Sequence, residues 1–205
     1  MAINYTIQAE IVDIDLDRPC AEDVFLVDTN VWYWMTYPRA TSHIPSLINK
    51  YQSYLGNALS VGSKIYYSGL TQAELSHIIE KTEREIYERS VGSSIRAKEF
   101  RHNYPTQHSN TVSEIKAAWA QVSSLACPLD ITINSAMCTE TLKRLITESV
   151  DGYDLFILES MKNNGVTQIL TDDGDFCTVP GIRMFTKNKN VIDTARAQGK
   201  LLTRT

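Results

Sequence analysis

Acidic side chains at separated positions are the residues of this sequence that could do chemistry. Carboxylates about 4 Å apart repel each other by roughly 4 kcal/mol per pair at an effective dielectric near 20. A cluster of them therefore takes up protons or binds a hard divalent cation such as Mg²⁺ or Mn²⁺. Such a metal site suits phosphoryl transfer, because the cation activates water and stabilises a leaving oxygen. Each candidate follows a predicted strand or opens a predicted helix: Asp28, Glu74, Asp154, Asp172, Asp173 and Asp175.

The elements predicted around these acids alternate between strands and helices, which indicates an α/β fold with a mainly parallel sheet. Strands are predicted at 3–16 (one long strand or a hairpin), 24–27, 65–67, 128–133, 168–170 and 182–185. Helices are predicted from near 31 and at 44–59, 71–89, 110–126, 135–148 and 153–162. Because carboxyl ends of parallel strands meet at one edge, we expect Asp28 and Asp173 to lie close together.

Two of the acids also have a purely structural interpretation. The run Thr71-Gln72-Ala73-Glu74 is a capping box, in which Glu74 returns a hydrogen bond to the Thr71 amide. Asp154 shares a helix face with apolar residues three, four and seven positions on, and a buried anion needs a partner. Asp151 is the predicted cap of that helix, which leaves Asp154 available for other work.

Composition limits the class of protein. The chain has 205 residues, of which 43% are hydrophobic and 21% charged, so we expect one compact domain or one domain with an elaboration. Its net charge of −4 argues against a polybasic nucleic-acid coat. No apolar run is long enough to span a bilayer and no signal peptide is evident, so a cytoplasmic location is expected. Four scattered cysteines indicate reduced thiols rather than disulfides or zinc ligands.

Four segments resemble the PIN-domain ribonucleases, particularly those like the VapC toxins. Residues 24–31 resemble the family's opening strand and its Asp-Thr-Asn motif, and residues 71–75 resemble the helix that supplies a Glu. Residues 154–158 are similar to the Asp-Ala-Leu-Ile-Ala type of helix start, and residues 170–176 to the Leu-Thr-x-Asp-x-Asp-Phe motif. The four segments occur in the family's order.

The resemblance implies a three-layer α/β/α fold and an endoribonuclease that leaves 5′-phosphate and 3′-hydroxyl ends. By it, Asp28, Glu74, Asp154 and Asp173 are the catalytic, metal-binding acids for Mg²⁺ or Mn²⁺, and Asp175 is an auxiliary metal-binding acid. Asn30 and Thr171 are polar supports of the site. RNA is the implied partner, and an antitoxin and a homodimer are compatible with the likeness, whereas a membrane is not expected.

Two regions depart from a minimal member of that family. Residues 1–22 are predicted to form an N-terminal β extension, ahead of a PIN-like nuclease domain over residues 23–205. Within that domain, the stretch of about 80–126 is a predicted helical elaboration. Both features bear on the toxin label more than on the fold or the chemistry.

Basic and aromatic residues offer candidate RNA contacts, each with a structural alternative. The basic candidates are Arg84, Arg96, Lys98, Arg101, Lys187 and Lys189. The first four lie among glutamates and could instead form a solvated helix face, and the last two lie in a segment, 183–204, of net charge +5 that could be a solvated tail. Aromatic residues at 32–34 and Tyr37 could stack on bases but more often fill a core. His77 is expected to be structural rather than a metal ligand.

Other enzyme classes fit the sequence less well. A haloacid-dehalogenase-type phosphatase needs a second Asp two residues after the first, where this chain has Asn30. A phosphate-cradling NTPase needs a GxxxxGK[ST] loop, which the sequence lacks. The alternative left open is a catalytically inactive PIN-like module that serves as an RNA-binding or scaffold protein.

Overall fold

The computed structural model describes residues 3–42 and 45–204, and these contain one all-parallel sheet with the strand order β1-β6-β5-β2-β3-β4. Its strands are β1 (Glu10–Asp13), β2 (Val24–Val27), β3 (Lys64–Ser68), β4 (Cys127–Leu129), β5 (Gln168–Leu170) and β6 (Arg183–Thr186). The helices are α1 (Thr29–Thr36), α2 (Pro45–Val61), α3 (Thr71–Val91), α4 (Ala97–Asn103), α5 (Pro105–Leu125), α6 (Ser135–Thr147), α7 (Gly152–Asn163) and α8 (Lys189–Ala197). A 3-10 helix (Gly174–Thr178) follows β5.

The sheet lies between two apolar cores, because successive side chains of a strand point to opposite faces. In β2, Phe25 and Val27 belong to the core formed with α1, α2, α3 and α5. Leu26 belongs to the other core, with α7, α8 and the 3-10 helix. Helices on both faces of a parallel sheet make a three-layer α/β/α architecture, as predicted.

The central elements follow their predictions closely, and the differences have local causes. The strand predicted over 3–16 is reduced to β1, because its neighbour β6 has four residues and the preceding backbone amides of Gln8 and Ala9 bond to the Cys177 carbonyl instead. The strand predicted over 128–133 is only β4. The predicted start of α2 at Ile44 lies outside the described residues.

Two helices were not predicted from the sequence. Helix α4 buries a single apolar side chain, Phe100, so its periodic signal is weak. Helix α8 carries a clearer signal, since Asn188 caps it and Val191, Ile192 and Ala195 are buried on one face. The segment that we interpreted as a candidate solvated tail is therefore part of the fold.

Acids near the N-terminus are neutralised by bases from distant segments. Arg204 donates to Asp17 with Nε and Nη2 at 2.7 and 2.5 Å, and its Nη1 bonds to Asp23. Lys187 Nζ lies 3.3 Å from Asp13 and 2.8 Å from Asp15. We call Asp13, Asp15, Asp17 and Asp23 the paired acids. The positive charge of residues 183–204 thus offsets the negative charge of residues 10–28.

Several expectations about side chains can be checked against burial. The aromatic residues Trp32, Tyr33, Trp34 and Tyr37 are at most 8% exposed, so they fill the core and do not offer a stacking surface. Cys20, Cys127, Cys138 and Cys177 are all free thiols, as expected. In the part of the chain that the structure describes, no helix combines the length and the apolar character needed to cross a membrane.

Candidate active site

Asp28 stands at the carboxyl end of the central strand β2 and caps helix α1. Its backbone amide donates to the Leu170 carbonyl (3.1 Å), which places it beside the end of β5. Its carboxylate accepts one hydrogen bond from the Thr29 amide and one from Thr171 Oγ1, both at 2.6 Å. A carboxylate at a helix N-terminus is favoured by the partial positive charge there. The main chain and two neighbouring donors therefore fix this side chain.

Glu74 lies in the first turn of α3, but it does not form the predicted capping box. The residue before the helix, Leu70, makes no side-chain cap, and Thr71 is already the first helical residue. The carboxylate of Glu74 instead accepts a hydrogen bond from Thr29 Oγ1. Because Thr29 follows Asp28 directly, this contact links α3, the helix after β3, to the end of β2. The predicted capping box is therefore wrong.

Asp154 lies in the first turn of α7, which runs back towards β5. Asp151 caps that helix, as predicted, since its carboxylate accepts from the amides of Tyr153 (2.8 Å) and Asp154 (3.1 Å). The carboxylate of Asp154 forms no hydrogen bond or ion pair with the residues that the structure describes, although it is only partly exposed. It is thus a carboxyl group without a structural counter-charge.

The acids after β5 separate into three different environments. Asp173 is exposed, and its carboxylate accepts from the Asp175 amide at 3.0 Å. Asp175, the predicted auxiliary ligand, contributes that amide, but its side chain is not among the residues that line the pocket of the other acids. Asp172 accepts a hydrogen bond from Tyr51 Oη (2.8 Å) and lines a different cavity. Of the three, only Asp173 lines the same pocket as Asp28, Glu74 and Asp154.

One pocket of about 510 Å³ brings the four predicted catalytic acids together. We call Asp28, Glu74, Asp154 and Asp173 the pocket acids. They come from four separate segments of the chain. The strands β2 and β5 are neighbours in the sheet, but the segment after β2 packs on one face and the segment after β5 packs on the other. Open α/β sheets bind ligands at such switch points. Among the described residues, the lining includes Asp151 as a fifth acid but neither Lys nor Arg.

The electrostatics of the pocket follow from burial and from like charges. Burial, and then the charges of Asp173 and Glu74, raise the pKa of Asp28 to about 7, against the hydrogen bonds that lower it. Burial, and then the charges of Asp28 and Asp151, raise the pKa of Asp154 to about 9. The pKa of Glu74 is also raised, mainly by burial. A cation bound nearby would therefore favour the ionised form of each of these acids and lower its pKa.

The donor chemistry of the pocket fits a hard divalent cation. Its ionisable groups are carboxylates, apart from the imidazole of His77 and the phenol of Tyr153, and oxygen is the ligand atom that Mg²⁺ and Mn²⁺ favour. No three acidic, imidazole or thiol side chains in residues 3–42 and 45–204 are already gathered into a ligand cluster. Thr29, Thr171 and the Asp175 amide each hold one of the carboxylates, so a cation would compete with these donors.

The two predicted polar supports, Thr171 and Asn30, lie near Asp28 and differ in how fully their polar atoms are hydrogen-bonded. Thr171 is fully buried and uses its hydroxyl twice, since it donates to Asp28 and accepts from the Asp173 amide at 2.9 Å. Asn30 lines the pocket, and its Nδ2 lies 3.5 Å from Thr171 Oγ1. The Oδ1 atom of Asn30 is buried without a hydrogen-bond partner in the described residues. A buried acceptor of this kind is costly unless a ligand or water satisfies it.

The predicted RNA contacts divide into engaged and unengaged cations. Arg84 bonds to Glu88 (2.8 Å) and Arg101 makes a two-point contact with Glu80, at 2.7 Å for both bonds. Lys187 is held by the paired acids. The remaining three are exposed and form no ion pair with the described part of the chain: Arg96, Lys98 and Lys189.

Of the other pocket residues, sequence reasoning missed Tyr153 as a functional candidate and interpreted His77 as structural. Tyr153 lines the pocket with 63% of its surface exposed, which is unusual for an aromatic side chain. His77 is exposed and lines the same pocket, one helical turn after Glu74. For His77 the available signal was its position three residues after Glu74, because residues three apart lie on the same face of a helix. For Tyr153 the sequence offered only its adjacency to Asp154.

Comparison with known proteins identifies the family. The family model described as the PIN domain matches residues 25–182, which is more than half of the chain and includes every pocket acid. No curated protein matches the sequence. PIN domains are generally nucleases, and PIN domain nucleases typically use divalent metals. The sheet order, the acid pocket and the family match agree, and the chain belongs to the PIN domain family.

Proposed function

We propose that this protein is a metal-dependent endoribonuclease that hydrolyses RNA phosphodiester bonds. The observation that carries the proposal is the pocket, in which four carboxylates from four segments meet with no Lys or Arg among the described lining residues. In a member of a nuclease family, such uncompensated charge is explained by a divalent cation and a phosphate substrate. Asp28, Glu74, Asp154 and Asp173 would hold Mg²⁺ or Mn²⁺.

The protein's own groups prepare the pocket for that role. When bound, a divalent cation supplies positive charge to the phosphate and lowers the pKa of bound water. Thr171 and Thr29 restrain the carboxylates of Asp28 and Glu74, so less side-chain entropy remains to be lost on ligand binding. Asp154 keeps all its acceptor sites available, because no described residue donates to it.

The surroundings of the pocket favour an unpaired strand as substrate. Tyr153 presents an exposed ring at the pocket, and base stacking on an aromatic ring contributes about 1–3 kcal/mol per base. Duplex RNA keeps its bases stacked on each other, so this contact selects single-stranded regions. Arg96, Lys98 and Lys189 are the proposed phosphate contacts, since they are exposed and not neutralised by described residues.

The test is cleavage of end-labelled RNA by the purified protein. Single-stranded RNA, hairpin RNA and single-stranded DNA should each be incubated with Mg²⁺, Mn²⁺ or chelator. We expect internal cleavage of the single-stranded RNA with either metal, none in chelator, and products with 5′-phosphate and 3′-hydroxyl ends. The D154N variant serves as the control for contaminating nucleases. Absence of cleavage of any nucleic acid with both metals would favour the inactive RNA-binding or scaffold alternative.

A toxin role is a further part of the proposal, in the cytoplasm, where four free thiols stay reduced. Induced expression of the wild-type chain should arrest growth of a host cell, whereas expression of the D154N variant should not. If a neighbouring open reading frame encodes an antitoxin, its co-expression should relieve the arrest. Arrest by both variants would separate toxicity from the pocket acids.

A further inference from the structure

The backbone conformation of Gly174, between Asp173 and Asp175, does not explain why this residue is a glycine. It begins the 3-10 helix, and its φ is not among the positive values that require glycine. The reason lies in a contact with Tyr5. A Cβ atom at Gly174 would be 2.5 Å from Cζ and 3.2 Å from Cε1 of the Tyr5 ring, and closer still to its hydroxyl oxygen. Only a residue without a side chain lets Tyr5 lie there.

Tyr5 belongs to a segment that the rest of the chain holds in place. The Gln198 side chain donates to the Tyr5 carbonyl and accepts from the Ile7 amide, both at 3.0 Å. Two further amides of the segment donate to the Cys177 carbonyl, at 2.9 and 3.1 Å. Ile7 is 4% exposed and packs in the core with α7 and α8. The backbone on both sides of Tyr5 is thus held by the residue that ends α8 and by the 3-10 helix.

The contact joins the neighbour of a pocket acid to a residue outside the region that the family model matches. Residues 25–182 include Gly174 but not Tyr5. Burial, and then the charge of Asp175, raise the pKa of the Tyr5 hydroxyl, with smaller contributions from Cys177 and Asp173. The contact with Gly174 places the phenol at the turn that carries Asp173, whose own carboxylate accepts from the Asp175 amide across Gly174.

We propose that Tyr5 is a positioning residue of the active site, which packs on Gly174 and fixes the Asp173-Gly174-Asp175 turn so that Asp173 faces the pocket. This inference rests on the proposed function, since Asp173 matters as a ligand only if the pocket binds a cation. It gives the N-terminal segment a task in the site, in addition to the strand that it adds to the sheet.

The experiment is a double-mutant cycle between Tyr5 and Gly174. G174A should clash with the ring, whereas in the Y5A background the methyl group has room. We expect G174A and Y5A each to weaken Mn²⁺ binding and to lower kcat by about tenfold with little change in KM, because small misplacements of site groups are expensive. In the Y5A background, G174A should change either quantity by less than about twofold. Y5F keeps the ring and should stay within about twofold of wild type.

A second readout does not require an active enzyme. Hydrogen exchange of the amides of residues 172–178 is measured in chelator, and Y5A should increase it, whereas Y5F should not. Y104A is the matched control, because Tyr104 is a half-buried tyrosine that packs on Tyr87, about 20 Å along α3 from Glu74. It should leave exchange of this turn and Mn²⁺ affinity unchanged.

The outcomes separate the two proposals. Additive effects of G174A and Y5A, or unchanged exchange in Y5A, would overturn the role of Tyr5 even if the wild type cleaves RNA. If the wild type neither cleaves RNA nor binds Mn²⁺, the proposed function fails, and the exchange measurement then shows whether Tyr5 still fixes the turn.

Discussion

The molecule contains two groups of acids at the sheet, and they differ in what faces them. Each of the paired acids lies against a base from a distant segment, such as Arg204 against Asp17 or Lys187 against Asp15. The pocket acids lie against one another and against neutral donors. Although burial alone would raise the pKa of Asp23, the hydrogen bond from Arg204 lowers it. The pKa of Asp28 is instead raised to about 7.

This difference separates a structural acid from a functional one. A buried anion with a fixed counter-ion has its charge satisfied within the chain and needs no ligand. A group of partly buried acids without one is stabilised when it takes up protons or binds an external cation. The missing base, rather than the number of acids, therefore marks the site. Four predictions test whether the two groups behave as oppositely as their surroundings imply.

The largest effect is expected on activity. D154N replaces a proposed cation ligand with a neutral amide of the same size, and we expect a loss of cleavage of about 10³-fold or more, as for other groups that stabilise a transition state. The melting temperature should not fall. E99Q, an acid in the first turn of α4 outside the pocket, is the control and should keep wild-type activity. Cleavage by D154N within tenfold of wild type would remove Asp154 from the mechanism.

The largest loss of stability is expected for the paired acids. R204A leaves Asp17 and Asp23 buried without their counter-ion, and breaking such a pair costs about 3–5 kcal/mol. Unfolding in urea measures this free energy. R196A removes an exposed partner of Asp193 and should cost less than about 1 kcal/mol. If both variants lost the same small amount, the paired acids would not be a stabilising group.

The opposite sign is expected for the pocket acids in the absence of metal. D28N relieves repulsion by Asp173 and Glu74 while Asn still caps α1, so in chelator the melting temperature should rise by about 3–8 °C. Differential scanning calorimetry measures the change. Added Mn²⁺ should stabilise the wild type and have less effect on D28N. A large decrease in melting temperature would mean that Asp28 is a structural residue.

The last prediction concerns the dependence of stability on pH. The raised pKa values of Asp28 (about 7) and Asp154 (about 9) mean that the folded state binds more protons than the unfolded state, so without metal these groups lower stability as pH rises towards 9. The lowered pKa of Asp23 acts in reverse, and its contribution is lost as pH falls through the acidic range below about 4. The D28N/D154N double variant should show a flatter melting profile between about pH 6 and 9. An equally steep profile would contradict the assignment to these two acids.

The central part of the molecule could be predicted from the sequence because its signals are local. Apolar runs bounded by polar residues gave β2 and β5, and the rule that parallel strands share a carboxyl edge placed Asp28 and Asp173 together. Asp151 was predicted as a cap, and the structure confirms it. Each of these inferences needs only the residues within one element and the general geometry of the fold.

The remaining features depend on partners that are distant in sequence. Nothing near Arg204 indicates that it pairs with Asp17, 187 positions away, so the basic segment was interpreted as an RNA contact or a tail. Glu74 was assigned a local bond because a capping box is visible in sequence, whereas its actual donor, Thr29, is 45 residues away. The contact of Tyr5 with Gly174 has the same character.

The joining of the two ends of the described chain has a consequence for biosynthesis. Ile11 in β1 forms a parallel bridge with Leu201, and Asp17 and Asp23 meet their guanidinium group only at residue 204. A ribosome produces the acids first, and they remain without that partner until almost two hundred more residues have been added. Because contacts of such separation close late, the first strand is expected to dock after the central strands have already paired. Asp28, Glu74 and Asp154 can therefore come together before β1 docks, whereas the proposed restraint of the Asp173 turn by Tyr5 forms only when the N-terminal segment is in place.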